Sequence, residues 1–221
     1  GRVQIDGFYD QVVPLEEWES KAWAALPLGD KETLELTGVP ALYGEEGYTT
    51  LERTWGRPTA EVNGIAAGYQ GEGSKTVIPA EAMLKLSFRL VPDQDPMRVM
   101  DQVKRHMEAH CPPGITLEIE IGHHGKPYKV DPHNDFGKAA QRALEETFGK
   151  TPALIREGGS IPIVQSFKDV LDADTLLLGL ALPDCRAHAP NENFSLTNFE
   201  AGILLNQNLL RSLATPPARR D

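Results

Sequence analysis

Five segments of this chain combine residue types and spacings that could carry chemistry. GYQGEGSKT at 68–76 spaces Gly68 and Gly73 like a phosphate-binding loop and ends close to Lys75. Ser74 intrudes before that lysine, and the next segment reads as a strand. A phosphate loop needs a helix there, with its N-terminal amides facing the anion, so the glycines are read as a turn at a strand edge. HMEAH places His106 and His110 at i and i+4, on one face of a helix. It resembles HExxH only superficially, because Glu108 at i+2 stands on the wrong side to act as general base between the imidazoles; the pair reads as a solvated helix edge. His123 and His124 sit side by side at a strand end, point to opposite faces and read as linker. REGGSIP sets Gly158 and Gly159 between an apolar strand and a helix. Free N–H groups near a helix N-terminus suit a carboxylate or oxyanion, and a plain strand-to-helix turn accounts for the same residues at least as well. AHAPNEN places His188 in a polar loop after a buried strand, where ligands of α/β sheets collect. Its spacing alone does not make it a metal ligand.

The elements that must position these residues follow from hydrophobic period. PLEEWESKAWAAL predicts a short helix with Leu15, Trp18, Ala22 and Leu26 on one face. TLELTG and PTAEVNGI read as strands, and VIPAEAMLKLSFRLVP alternates Leu84, Leu86, Phe88 and Leu90 with Lys85, Ser87 and Arg89, the period of a half-buried strand. Pro96 opens a helix whose buried stripe is Met97, Met100, Val103 and Met107, and ITLEIEIG is a second alternating strand. This is the grammar of a two-layer α+β sandwich. The character changes near Gly125. A helix from Asn134 or Asp135 to about Phe148 has Phe136, Ala139, Ala140, Ala143 and Leu144 as its buried face and Gly149 as its stop. ALIREGGS reads as a strand, IPIVQSFKDVL as a helix beginning after Ser160, and TLLLGLAL as a strand covered on both faces. TNFE reads as a capping box that starts a last helix at Thr197. The second half is α/β.

Composition narrows the function classes. The chain has 221 residues, 22 Lys plus Arg against 32 Asp plus Glu, and a net charge of −10. With 40% hydrophobic residues it can build a core, and its acidity argues against nonspecific nucleic-acid binding. No apolar run reaches the ~18 residues of a membrane span. Cys111 and Cys185 are far apart and suggest neither a disulfide framework nor a thiolate zinc cluster, so a reducing, cytoplasmic setting is expected. The opening GRVQIDGFYD is no signal peptide and reads as the interior of a longer protein.

In order along the chain, EVNGIAAGYQGEGSKTVIPAEAMLKLSFRLVP, IREGGSIPIV and LPDCRAHAPNENFSL closely resemble segments of the two-zinc amidohydrolases. That family includes carnosinase-type dipeptidases, aminoacylase, glutamate carboxypeptidase and succinyl-diaminopimelate desuccinylase, and GFYDQVVPL looks like its dipeptidase branch. The resemblance implies a catalytic α/β domain interrupted by a two-layer α+β lid that mediates dimerisation. Residues 1–124 would be most of the lid, and 125–221 the returning C-terminal part of the zinc-peptidase catalytic domain.

The resemblance also implies roles. His188 matches the family's C-terminal zinc-binding histidine, and neutral imidazole suits zinc. Arg89, in SFRLVP, matches the lid arginine that holds a substrate carboxylate, a task suited to a planar, permanently charged fork. Thr76 matches a lid residue that contacts substrate, in some members across the dimer. Gly158, Gly159 and Ser160 match the turn that binds the carboxylate end of the substrate. The family's HxD histidine, bridging aspartate, Glu–Glu pair with its general base, and lid HSG histidine have no counterpart in this chain. The polypeptide alone is therefore expected to be inactive, while its parent cleaves dipeptides or N-acyl amino acids beside a free carboxylate, as a homodimer joined through the lid. The alternative is a noncatalytic dimerisation or binding module.

Overall fold

The computed structural model describes residues 1–157 and 161–214, the side chain of Pro162 excepted. Along the chain run α1 (Glu17–Ala24), α2 (Asp30–Thr37), α3 (Thr50–Gly56), β1 (Thr59–Ala67), β2 (Ala82–Arg89), α4 (Pro96–His110), α5 (Asp135–Phe148), α6 (Pro162–Leu171) and α7 (Leu196–Ala214). The mixed helix-and-sheet class is as the sequence predicts. β1 and β2 form an antiparallel hairpin that pairs Thr59 with Arg89 and Ala67 with Ala82, and its register shifts between Val62 and Gly64.

Local chemistry explains the helix ends. Asp95 accepts from the amides of Met97 and Arg98, and Pro96 occupies the first turn of α4, where its missing N–H is harmless. Asn134 accepts from the amide of Gly137, and Gly149 ends α5 at φ 65° by donating to the carbonyl of Glu145. The alanine face of α5 (Ala139, Ala140, Ala143) is buried and small, so α7 approaches closely, and Asn208 donates to Thr147 across the contact.

Several expectations are corrected. TLELTG belongs to helix α2, not a strand. Gly29 donates to Glu32, Asp30 and Glu32 place negative charge in the first turn, and Gly38 closes the helix in the left-handed region, so the caps outweigh the alternation of Leu34 and Leu36. α7 starts at Leu196, one residue before Thr197: the Ser195 hydroxyl accepts from the Asn198 amide and its carbonyl from that of Phe199. Phe136 is 62% exposed and Met97 52%, so neither belongs to its helix's buried face; Val99 and Gln102 take that place in α4. On α1 the buried residues are Glu19 and Trp23.

Three further segments predicted as strands, 115–122, 153–157 and 175–182, carry no ladder among the described residues. A ladder needs a neighbour about 4.8 Å away along the hydrogen-bonding direction. These segments instead border one cleft of about 1960 Å³, shared with β2 and the apolar side of α4. The accessible surface is 16367 Å², against roughly 10,000 Å² for a compact monomer of this mass. Much apolar surface is thus uncovered, including Ile115, Ile119, Ile121 and Leu177 along these segments.

One buried ion pair ties the two halves together. Glu19, 1% exposed, accepts from Arg156 Nε at 2.7 Å and Nη2 at 2.5 Å. It also accepts from the Glu16 amide at 3.0 Å and lies 3.5 Å from Lys129 Nζ, which bonds Glu16 at 2.7 Å. Beside it the Trp23 indole donates to the carbonyl of Leu154 and meets Trp55 edge-on. Segment 154–156 is therefore fixed to α1 at both its ends. Losing one member of such a pair strands a buried charge. We expect Glu19→Ala or Arg156→Ala to lower stability by about 3 kcal/mol or more each, and Glu19→Met with Arg156→Leu by much less than the sum. Urea unfolding followed by tryptophan fluorescence checks this, and strictly additive losses would refute it.

Glu52 joins α3 to α1. Burial raises its carboxyl, but hydrogen bonds from the Thr49 amide and the Ser20 hydroxyl outweigh that and hold it below the ordinary 4.5. Its stabilising contribution is present above the unfolded value and lost as pH falls through the folded one. In Glu52→Gln the loss of stability below pH 4.5 should be shallower than in the parent chain, measured by urea midpoints against pH.

Candidate functional site

Arg89 is the last residue of β2, exposed at the edge of the cleft. Nη1 donates to the carbonyl of Thr54 at 3.3 Å, which steadies the guanidinium from the end of α3. No carboxylate engages it among the described residues, so most of its donor fork is free for a ligand.

Thr76 lies at the other end of the hairpin. It belongs to the connection between Ala67 and Ala82, exposed throughout residues 68–81. β2 alone, from Ala82 to Arg89, covers roughly 23 Å at about 3.3 Å per residue.

His188 sits in a tightly wound loop between segment 175–182 and α7. Cys185 donates to Leu182, Asn193 to Cys185, Ala189 to Arg186, and the Asn193 side chain to Asp184. Arg186, His188 and Asn191 all adopt positive φ, at 54°, 62° and 63°. Non-glycine residues there cost of order 1 kcal/mol or more each, and such strain concentrates at functional loops. The loop holds the His188 imidazole in solvent, with no partner among the described residues. It is not part of the cleft lining that includes Arg89.

Gly158, Gly159 and Ser160 lie outside the described residues. Their flank does not: Arg156, two positions before Gly158, is anchored to Glu19. Sequence reading passed over that pair. The available signal was an acid, Glu19, four residues before Trp23 on the same helical face, where an apolar residue is expected.

Metal chemistry can be tested on the donor set. Among the described residues no three His, Cys, Asp or Glu side chains come together to hold an ion. A catalytic zinc typically takes three protein ligands and an open position. The described residues alone therefore do not complete a catalytic zinc site. Among the described residues no helix is long and apolar enough to cross a membrane.

Known proteins supply the context. Residues 16–115 match the M20 peptidase dimerisation domain. The Cys-Gly metallodipeptidase of Saccharomyces cerevisiae is 32% identical over 206 residues, 92% of this chain and 43% of that protein. The solved structure of that yeast dipeptidase superposes with a TM-score of 0.84 at 31% identity, covering 98% of this chain and 46% of the other. The human beta-Ala-His dipeptidase is 30% identical over 93% of this chain and 41% of its own length. An M20 family metallo-carboxypeptidase from Sulfolobus solfataricus gives a TM-score of 0.82 at 31% identity, covering 96% of this chain and 48% of its own. The chain spans less than half the length of these relatives. Nearly the whole chain is similar to M20 metallopeptidases in sequence and in fold, and its residues 16–115 are an M20 peptidase dimerisation domain.

Proposed function

We propose that this chain is the C-terminal part of a metal-dependent dipeptidase that hydrolyses an amide bond beside a free carboxylate. The observation that carries the reading is the superposition of 98% of the chain on a dipeptidase at 31% identity. Dipeptides and N-acyl amino acids are the substrate class, because an unpaired guanidinium at Arg89 and a glycine-rich segment at 158–160 both suit a carboxylate.

In this reading residues 1–124 form the lid and 125–221 return to the catalytic domain. Zinc, as a pair of ions, would polarise the scissile carbonyl and activate water. This chain's own contributions are binding and placement. His188 presents one neutral imidazole, its position fixed by the left-handed turns on either side. Arg89 holds the substrate carboxylate through its fork, oriented by the Thr54 carbonyl. Gly158, Gly159 and Ser160 receive the same end of the substrate, and the Glu19–Arg156 pair sets where their segment begins. Thr76, in the exposed connection between β1 and β2, serves the site of the second subunit in a homodimer joined through residues 16–115. The other metal ligands and the general base come from outside this chain. Two unpaired cysteines suit a cytoplasmic setting.

The test is kinetic. The intact protein should release amino acid from dipeptides in a chelator-sensitive reaction, and the 221-residue chain alone should not. Arg89→Ala should raise KM for dipeptides by roughly 100-fold, the worth of a charged bidentate contact, with a smaller effect on kcat. Activity indifferent to chelators, or an unchanged KM, would refute the reading.

A further inference from the structure

α4 carries a feature that the hydrolytic reading does not use. His106 and His110 are one turn apart, and their rings lie with centroids 4.2 Å apart and planes tilted by 32°. His110 Nδ1 is 2.7 Å from the carbonyl of His106. A carbonyl only accepts, so Nδ1 carries the proton and the lone pair of His110 is on Nε2. This fixing of one nitrogen by a backbone oxygen is what orients and tautomerises metal-ligating histidines. His106 is half-buried and His110 exposed, and neither ring has a carboxylate partner among the described residues. The neighbouring charges are already matched, Lys104 with Glu108 at 3.9 Å.

We propose that His106 and His110 form a two-imidazole chelate for a late first-row divalent cation, of the class Zn²⁺, Ni²⁺ or Cu²⁺, on the exposed side of α4. Imidazole suits these ions, and two imidazoles at i and i+4 are the helical arrangement that shares one metal. No third side chain completes the set among the described residues, so water fills the remaining positions. The solvated helix edge read from HMEAH is thus a pair of imidazoles already in ring contact on one face of α4. The net charge of −10 favours cations near the surface in general, and this pair offers them two imidazole nitrogens one helical turn apart.

Titration calorimetry of the chain with Ni²⁺ alone tests the site. One saturable site is expected, and His106→Asn or His110→Asn should each weaken it by roughly tenfold or more, because the second imidazole acts at high effective concentration. His123→Asn, at an exposed position with no role in the proposed site, should leave it unchanged. A composition-preserving swap, Glu108→His with His110→Glu, keeps two histidines but turns the second to a different side of the helix, and it should also abolish the chelate. Circular dichroism on each variant establishes that α4 still forms. Equal isotherms for the parent, the single variants and the swap would overturn the proposal, as would Ni²⁺ broadening that spares the imidazole resonances of His106 and His110.

Discussion

The pairing of Glu19 with Arg156 is the constraint on which the arrangement depends. A carboxylate 1% exposed is tolerable only because it is fully engaged, by the guanidinium fork, the Glu16 amide and Lys129. These partners come from α1, from the linker and from the segment that leads to Gly158. The pair therefore does what apolar packing cannot: it fixes a register between distant parts of the chain, because a displaced segment would leave a charge buried without a partner. Trp23 adds the apolar half of the same joint, with its ring beside Trp55 and its N–H on Leu154.

That joint contrasts with the open cleft beside it. The segments 115–122 and 175–182 have the residue patterns of strands, yet they face a shared space without ladders. Their uncovered isoleucines and leucines are the apolar faces that a sheet or a second layer would bury. Relatives of more than twice this length, on which the chain superposes closely, have the additional polypeptide with which such surface can be covered. In the proposed reading fold and function share one requirement, that both the core and the reactive centre draw on more than these 221 residues.

What the sequence revealed depended on whether the signal was local. The helix ends at Pro96, Asn134 and Gly149 were legible because a proline, a polar side chain or a left-handed glycine acts within one turn of its own position; the Asp95 cap before Pro96 was passed over. The hairpin of β1 and β2 was legible from its period of two. TLELTG was misread because alternation at Leu34 and Leu36 competes with end signals at Gly29 and Gly38, and over so short a segment the end signals win. Strand pairing for 175–182 was illegible because the pattern records what a strand needs, not where its neighbour lies. The same divide runs through the site. Arg89 and His188 stood out through motif resemblance, and the structure adds that one borders the cleft while the other rides on a strained loop outside its lining. Glu19 was missed because its partner is 137 positions away.

His188 is the proposed contribution of this chain to a metal centre that other residues complete. The direct test is metal content of the intact protein, by elemental analysis, with His188 present and replaced by asparagine. About two zinc ions per chain are expected in the parent and about one fewer, or a much weaker affinity, in His188→Asn. A variant that keeps the full complement with unchanged affinity would contradict it.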